Sequence, residues 1–275
     1  MRDLSHRYPV WFVDIWGVIH NGEKPFAETV ATLARHRKEG GTVVLVSNSP
    51  RSAKGVIEQL DEFGVRTDAY DDAVTSGDVT QDLMRMVPSG KLYHIGPARD
   101  LSLFDGMPVK RVGLTEADAI ICTGLVHDHK ETPEDYAEEL AALRARNLPM
   151  ISANPDKIVR KGDKLIYCAG ALAEVYQKLG GAVSMAGKPH APIYDLALRK
   201  AFRLRDISIE RDDVLAIGDG PETDILGAAN QGFPVVYVGG GVRDHAENMD
   251  KELAHIRGLV PTANVLMAVK QLRWA

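Results

Sequence analysis

A handful of side chains in this sequence combine a chemically useful type with a place where the backbone changes direction. Asp14 ends the apolar run 10–13 and opens the Gly-containing part of WFVDIWGVIHNG, residues 11–22. Such a run reads as a buried strand ending in a carboxylate. In an open α/β sheet, ligands bind in the crevice beyond the carboxyl ends of the strands, so an acid there can face substrate. A turn or helix-capping acid is the ordinary alternative. The segment GDGPETD, residues 218–224, puts Asp219 directly after another apolar strand and Asp224 five residues on, where a helix begins. Two carboxylates so spaced around a tight Gly-Pro turn can face one small hard cation, or they can be a turn acid and a helix cap beside Thr223. Lys188, in MAGKPHAPIYDLAL, stands between a Gly and a Pro that restrict the backbone, so its ammonium can project into a crevice. A point cation suits the oxygens of a phosphoryl group; a surface lysine is the plainer reading. A further polar cluster, Ser47-Asn48-Ser49-Pro50, follows the apolar strand at 42–46.

These residues need a scaffold, and the chain alternates apolar β-rich runs with helical patterns, which marks an α/β sheet. Helices are expected near 25–37, 52–63, 191–204 and 223–230, with a last amphipathic helix near 263–273; strands are expected at 10–13, 42–46, 213–218 and 234–238. The stretch 72–77 leads into a different region. Residues 79–184 carry strands of their own at 91–95, 119–122 and 149–152 and a helix at 133–146. The expected architecture is therefore a Rossmann-like parallel-sheet core, residues 1–78 and 185–275, interrupted by a smaller α/β domain at 79–184.

Composition narrows the partners. The 275 residues can bury a sizeable interior. With 33 Lys and Arg against 38 Asp and Glu, the net charge is −5, and no basic block follows a nucleic-acid backbone. No apolar stretch approaches the roughly 20 residues that span a bilayer, and MRDLSHRYPV lacks a signal-peptide core, so a cytoplasmic protein is expected. Cys122 and Cys168 lie among apolar or small residues without zinc-ligand spacing, as reduced core residues would.

Taken in order, Asp14, Ser47, Lys188 and the pair Asp219 and Asp224 resemble the four motifs of the haloacid dehalogenase superfamily over nearly the whole chain. The insertion resembles the C2 cap of its class IIA phosphatases, and ISANPD at 151–156 and the GKP around Lys188 are similar to recurrent segments of that branch. The resemblance implies that Asp14 attacks phosphorus to give an aspartyl phosphate. Ser47 would hold a phosphoryl oxygen, helped by Asn48 and Ser49. Lys188 would neutralise the transferring group, and Asp219 and Asp224 would hold Mg²⁺ with Asp14 and the backbone carbonyl of Trp16. A small phosphorylated metabolite is the implied substrate, and a homodimer formed through the cap is a further expectation.

One position departs from that pattern. The residue two after the nucleophile is normally a second Asp that protonates the leaving group; here it is Trp16. Indole is only a donor, with no proton of useful acidity, so it cannot do that work. Three readings follow: a phosphatase that finds its acid/base elsewhere, in His20, in substrate or in a cap residue of LVHDHK; a metal-independent dehalogenase; or a non-catalytic protein that binds a phosphorylated metabolite. The kept pair Asp219 and Asp224 argues against the dehalogenase. His20 suits proton transfer near neutral pH, and His127 is a substrate contact candidate. His127 and His129 lack a third metal ligand, Gly239-Gly240-Gly241 reads as a turn, and Trp11 as core packing.

Overall fold

The structure is a computed structural model that describes residues 1–161, 164–239 and 249–274. The chain divides into two compact units, one of Met1–Ser47, Lys54–Val74 and Lys188–Ala275, the other of Asn48–Ala53 and Thr75–Gly187. The first unit starts with α1 (Arg2–Arg7), β1 (Val10–Val13), α2 (Ala27–Lys38), β2 (Thr42–Ser47), α3 (Ala53–Glu62) and β3 (Asp72–Thr75). The second follows with α4 (Ser76–Arg85), β4 (Lys91–Ile95), β5 (Lys110–Arg111), β6 (Ala119–Cys122), α5 (Ala137–Ala145), β7 (Met150–Ser152), β8 (Ile158–Lys161), β9 (Lys164–Tyr167), α6 (Ala169–Lys178) and β10 (Val183–Met185). The first unit resumes with α7 (Ala191–Arg205), β11 (Val214–Gly218), α8 (Leu226–Gln231), β12 (Val235–Val238), α9 (Met249–Leu259) and β13 (Val265–Val269).

The strands of the first unit form one sheet in the order β13-β12-β11-β1-β2-β3. β1 is central and parallel to both neighbours, with Val10 opposite Thr42 and Val214 and Val13 opposite Leu45 and Ile217. All four of its residues are buried, as a strand covered on both faces requires. From β1 the chain moves outward to β2 and β3, then returns to β11 on the other side and moves outward again. The strand order therefore reverses between β1 and β11, and the loops leaving these two strands diverge around a crevice. Asp14 and Asp219 are the first residues beyond those strands.

The second unit has a parallel five-stranded sheet, β10-β7-β6-β4-β5, and a separate antiparallel pair, β8-β9. Side chains of β6 alternate between two cores: Ile120 and Cys122 pack with Leu140, Leu143, Met150 and Leu172, whereas Ala119 and Ile121 pack with Met84, Leu92 and Leu103. Both cysteines are buried and unpaired.

The expected elements recur with small shifts, and two readings are corrected. Residues 263–273 do not form a helix: Val265–Val269 is strand β13, hydrogen-bonded in parallel to β12. Five consecutive apolar residues satisfy a short strand as well as a helix turn, and the open edge of β12 decides. The stretch 72–77 is not merely a lead into the insertion, because Asp72–Thr75 is the edge strand β3. Gly240 and Gly241 lie outside the described residues. No described helix is long and apolar enough to cross a membrane.

Candidate active site

The reversal point between β1 and β11 gathers the charged residues of the first unit. Asp14 extends the ladder by one bond, its N–H donating to Ile217 O at 2.8 Å, and its side chain is buried. Lys188 enters from just before α7 and is also buried. Its Nζ donates to Asp14 Oδ1 at 2.6 Å, to Asp224 Oδ1 at 2.7 Å and to the Val46 carbonyl at 3.0 Å. All three ammonium protons thus have acceptors, two of them anionic.

Asp224 reaches this place because the chain after β11 folds back tightly. Its N–H and that of Ile225 both donate to Gly220 O, at 2.9 and 3.0 Å, a wide π-type turn that precedes α8. In return Asp224 Oδ2 accepts the Gly220 N–H at 3.1 Å. The glycines of GDG are required sterically: a Cβ on Gly218 would lie 2.2 Å from Asp224 Cγ, and one on Gly220 would lie 2.0 Å from Thr223 Oγ1. The capping alternative is therefore part of the arrangement, since the same carboxylate closes the turn and faces Lys188.

Carboxylate oxygens of Asp14, Asp219 and Asp224 lie within 4.8 Å of one another. Among the described residues this is the only group of three or more ligand-type side chains that converges so. Two of these three carboxylates, Asp14 and Asp224, share the one buried ammonium of Lys188. Burial and the neighbouring Asp224 push the Asp14 carboxyl up to about 7 even though Lys188 pulls it down. Burial alone would lower the Lys188 pKa, but the two carboxylates hold it above its usual value. An all-oxygen donor set of converging carboxylates is the chemistry that fits a hard divalent cation.

Tyr194, on α7, was not singled out from the sequence. It is buried, and burial together with Asp224 raises its hydroxyl above the usual phenol pKa. Its only signal was an aromatic six residues after Lys188 on an apolar helix face. The Val46 carbonyl carries no sequence signal.

The remaining candidates divide between the units. Ser47 closes β2, half-buried, next to the Val46 carbonyl that holds Lys188. Asn48 and Ser49 belong to the second unit, where Asn48 Nδ2 donates to Asp156 Oδ1 at 3.0 Å and Ser49 Oγ accepts the Arg51 N–H at 3.3 Å. Asn154 Oδ1 orients Asp156 in turn by accepting its N–H at 2.9 Å, which gives the ISANPD segment a structural task. His127 is exposed in the second unit, its N–H donating to Glu131 Oε2 at 2.7 Å and its ring 6.4 Å from that of His129.

His20 does not suit the proton-transfer role expected of it. Its ring is buried, Nδ1 accepts the Gly22 N–H at 2.9 Å, and it packs edge-to-face with Phe63 at 4.9 Å and Trp16 at 5.3 Å. Burial pushes its pKa down to about 4, so at neutral pH the imidazole is uncharged, with its proton on Nε2. Trp16, by contrast, is 38% exposed.

A family model for haloacid dehalogenase-like hydrolases matches residues 11–110, and a second, HAD-hydrolase-like, matches residues 185–262. A solved hydrolase of the haloacid dehalogenase-like family from Brucella suis 1330 is 46% identical, covers 98% of this chain and 97% of its own, and superposes with a TM-score of 0.87. The chain belongs to the haloacid dehalogenase-like hydrolases. Within that family, it is 27% identical to an acid sugar phosphatase of Staphylococcus epidermidis over 90% of this chain and 92% of the relative. A 5′-nucleotidase of Bacillus subtilis is 25% identical over 89% of this chain and 93% of its own. The matched segments contain Asp14 on one side and Lys188, Asp219 and Asp224 on the other. The charge cluster of this haloacid dehalogenase-like hydrolase therefore lies within the segments that the family models match.

Proposed function

We propose that this hydrolase is a Mg²⁺-dependent phosphatase that releases phosphate from a small phosphorylated metabolite through an aspartyl phosphate on Asp14. The observation that supports it most is the sharing of one buried ammonium between Asp14 and Asp224, with the Asp219 carboxylate close by. Asp14, Asp219, Asp224 and the Trp16 carbonyl would hold the cation, which supplies charge neutralisation for the phosphoryl oxygens. Asp14 attacks phosphorus, and the bond from phosphorus to the leaving-group oxygen breaks. Lys188 keeps Asp14 oriented and partly neutralises the charge that accumulates around it. Ser47, with Asn48 and Ser49, positions the phosphoryl oxygens. Water then attacks the aspartyl phosphate and frees Asp14.

The inserted unit corresponds to the C2-type cap, to which the family resemblance assigns selection among leaving groups, with His127 as one contact. Its two unpaired thiols fit a cytoplasmic setting, and a homodimer through this unit completes the reading. The relatives named as sugar phosphatase and nucleotidase support the reaction class. A screen of phosphorylated metabolites with Mg²⁺, using Asp14→Asn as the blank, tests it. Turnover above the blank is expected; binding without Asp14-dependent turnover would favour the non-catalytic alternative that the missing acid at Trp16 leaves open.

A further inference from the structure

Asp156 stands outside the charge cluster, yet its side chain grips the loop proposed to hold phosphate. That loop opens with Asn48 and Ser49, in a segment Asn48–Ala53 that belongs to the second unit although it directly follows Ser47 of β2. The Asn48 side chain is buried and fixed at both ends of its amide. Nδ2 donates to Asp156 Oδ1 at 3.0 Å. Oδ1 lies against the Gly187 backbone, where an added Cβ would come within 2.4 Å of it. An amide held at both ends has one orientation, and the backbone that carries it keeps little freedom.

Asp156 is itself firmly seated. Its N–H donates to Asn154 Oδ1 at 2.9 Å, and Ser152 Oγ, at the end of β7, donates to Asn154 O at 3.0 Å. Its carbonyl accepts the Gly170 N–H at 3.1 Å at the start of α6. Gly170 is required there, because a Cβ would lie 2.2 Å from Pro155 O and 2.6 Å from Asp156 O. The acceptor that Asn48 meets is thus braced between a strand end and a helix start. The remainder of the segment is tied to α4. Gly77 N–H donates to Ser49 O at 3.1 Å, Ala53 N–H donates to Asp78 Oδ1 at 2.9 Å, and a Cβ on Gly77 would lie 2.3 Å from Arg51 O. Asp78 also closes the capping box of α4 with Thr75, so this anchor is fixed as well.

We infer that Asp156 is a positioning residue for phosphate binding, acting through Asn48 to fix the Asn48–Ser49 stretch in the conformation that holds the phosphoryl oxygens. The inference rests on the phosphatase reading and adds a residue of the inserted unit to its phosphate-holding loop. An ionised carboxylate is a stronger acceptor than a neutral carbonyl, so this bond outweighs an ordinary side-chain contact. A loop shaped before the anion arrives binds it without a further ordering cost. The phosphoryl oxygens are held alike in the ground state and in the transition state, so a loosened loop raises KM and leaves kcat nearly unchanged. It also weakens inorganic phosphate, which carries no leaving group.

The test measures kcat and KM of the full chain with Mg²⁺ on acetyl phosphate and on glycerol phosphate, and the inhibition constant of inorganic phosphate, with Asp14→Asn as the blank. Asp156→Ala is expected to raise both KM values and the phosphate inhibition constant by one common factor, about 10- to 100-fold. Asp156→Asn keeps an acceptor oxygen in place and should restore most of the loss. In an Asn48→Ala background, Asp156→Ala should add almost nothing. A KM that rises for one ester only, with phosphate inhibition unchanged, makes Asp156 a leaving-group contact and overturns the inference. A loss confined to kcat, no loss, or a full additional loss in the Asn48→Ala background overturns it too. Should Asp156→Ala fail to fold, Asn48→Ala breaks the same bond from the other side and must weaken phosphate inhibition by a similar factor; unchanged inhibition overturns the inference. If the wild type turns over neither ester, the phosphatase reading fails instead, and titration calorimetry with inorganic phosphate decides the positioning role. Weaker binding to Asp156→Ala than to wild type upholds it, and equal or absent binding overturns it.

Discussion

Replacing Asp14 by Asn is expected to abolish turnover and, without metal, to stabilise the protein. Burial and the neighbouring Asp224 raise the Asp14 carboxyl from its usual 3.8 to about 7. Below the lower value both folded and unfolded chains hold the proton, and the residue costs nothing. Between the two, the unfolded chain releases the proton and the folded chain keeps it, so stability falls as pH rises, at about 1.4 kcal/mol per pH unit. Above about 7 the cost is complete, on the order of 4 kcal/mol; at pH 5 it is on the order of 2 kcal/mol. Asn mimics the protonated acid and never meets this cost. In chelator, its advantage over wild type should therefore grow between pH 5 and pH 8 by about 2 to 3 kcal/mol, or roughly 5–10 °C in Tm. The residues Trp11, Trp16 and Trp274 all belong to the first unit, so tryptophan-fluorescence melting reports on the unit that contains Asp14. Saturating Mg²⁺ should narrow the gap by stabilising the wild type more. An Asn variant that melts below wild type in chelator at pH 8, or a gap that does not change with pH, would refute the idea that burying Asp14 beside Asp224 costs stability at neutral pH.

Further tests address its parts. Lys188→Met leaves Asp14 and Asp224 buried without their cation and should cost about 3–5 kcal/mol in chelator, read as a lower fluorescence Tm that Mg²⁺ partly restores. Mg²⁺ at 100 times its Kd should stabilise wild type by about 2.7 kcal/mol, and Asp219→Asn should remove most of that shift; equal shifts in both proteins would argue against Asp219 as a ligand. Gly220→Ala drives a methyl into Thr223 and disturbs the seat of Asp224, so Mg²⁺ affinity measured by titration calorimetry should fall about 10- to 100-fold. Trp16→Asp introduces a general acid, a group worth on the order of 10²- to 10⁴-fold when well positioned, and should raise turnover of glycerol phosphate relative to phenyl phosphate; an unchanged ratio would place the proton donor elsewhere.

Much of this site was legible because its residues sit where element types change. Asp14 and Asp219 each follow an apolar run, Asp224 and Lys188 each precede a helix, and strand ends in an open sheet point to one rim. What the sequence could not carry was which groups share a proton donor. That Lys188 bridges Asp14 and Asp224 while capping the Val46 carbonyl depends on a parallel register among β2, β1 and β11, set by pairings distant in sequence. The misread 263–273 segment fails for the same reason, since an apolar run of that length takes its conformation from the strand edge available to it. His20 shows the limit for single residues. Its type suits acid/base work, and only the surrounding Phe63, Trp16 and Gly22 reveal a buried ring held neutral.

The same loop shows how the proposed site could keep its charge cluster with Trp16 at the position where the family pattern expects an acid. Asp14 is oriented by Lys188, 174 positions downstream, and the proposed cation site draws its other carboxylates from Asp219 and Asp224, so neither depends on a particular side chain at position 16. The exchange is nevertheless not a bare loss, because the loop is built around the indole. Gly22 leaves room for it, and His20 braces it at the cost of its own ionisation. The support holds a rigid aromatic side chain two residues from Asp14, where the proposed mechanism needs its leaving group to find a proton from another source.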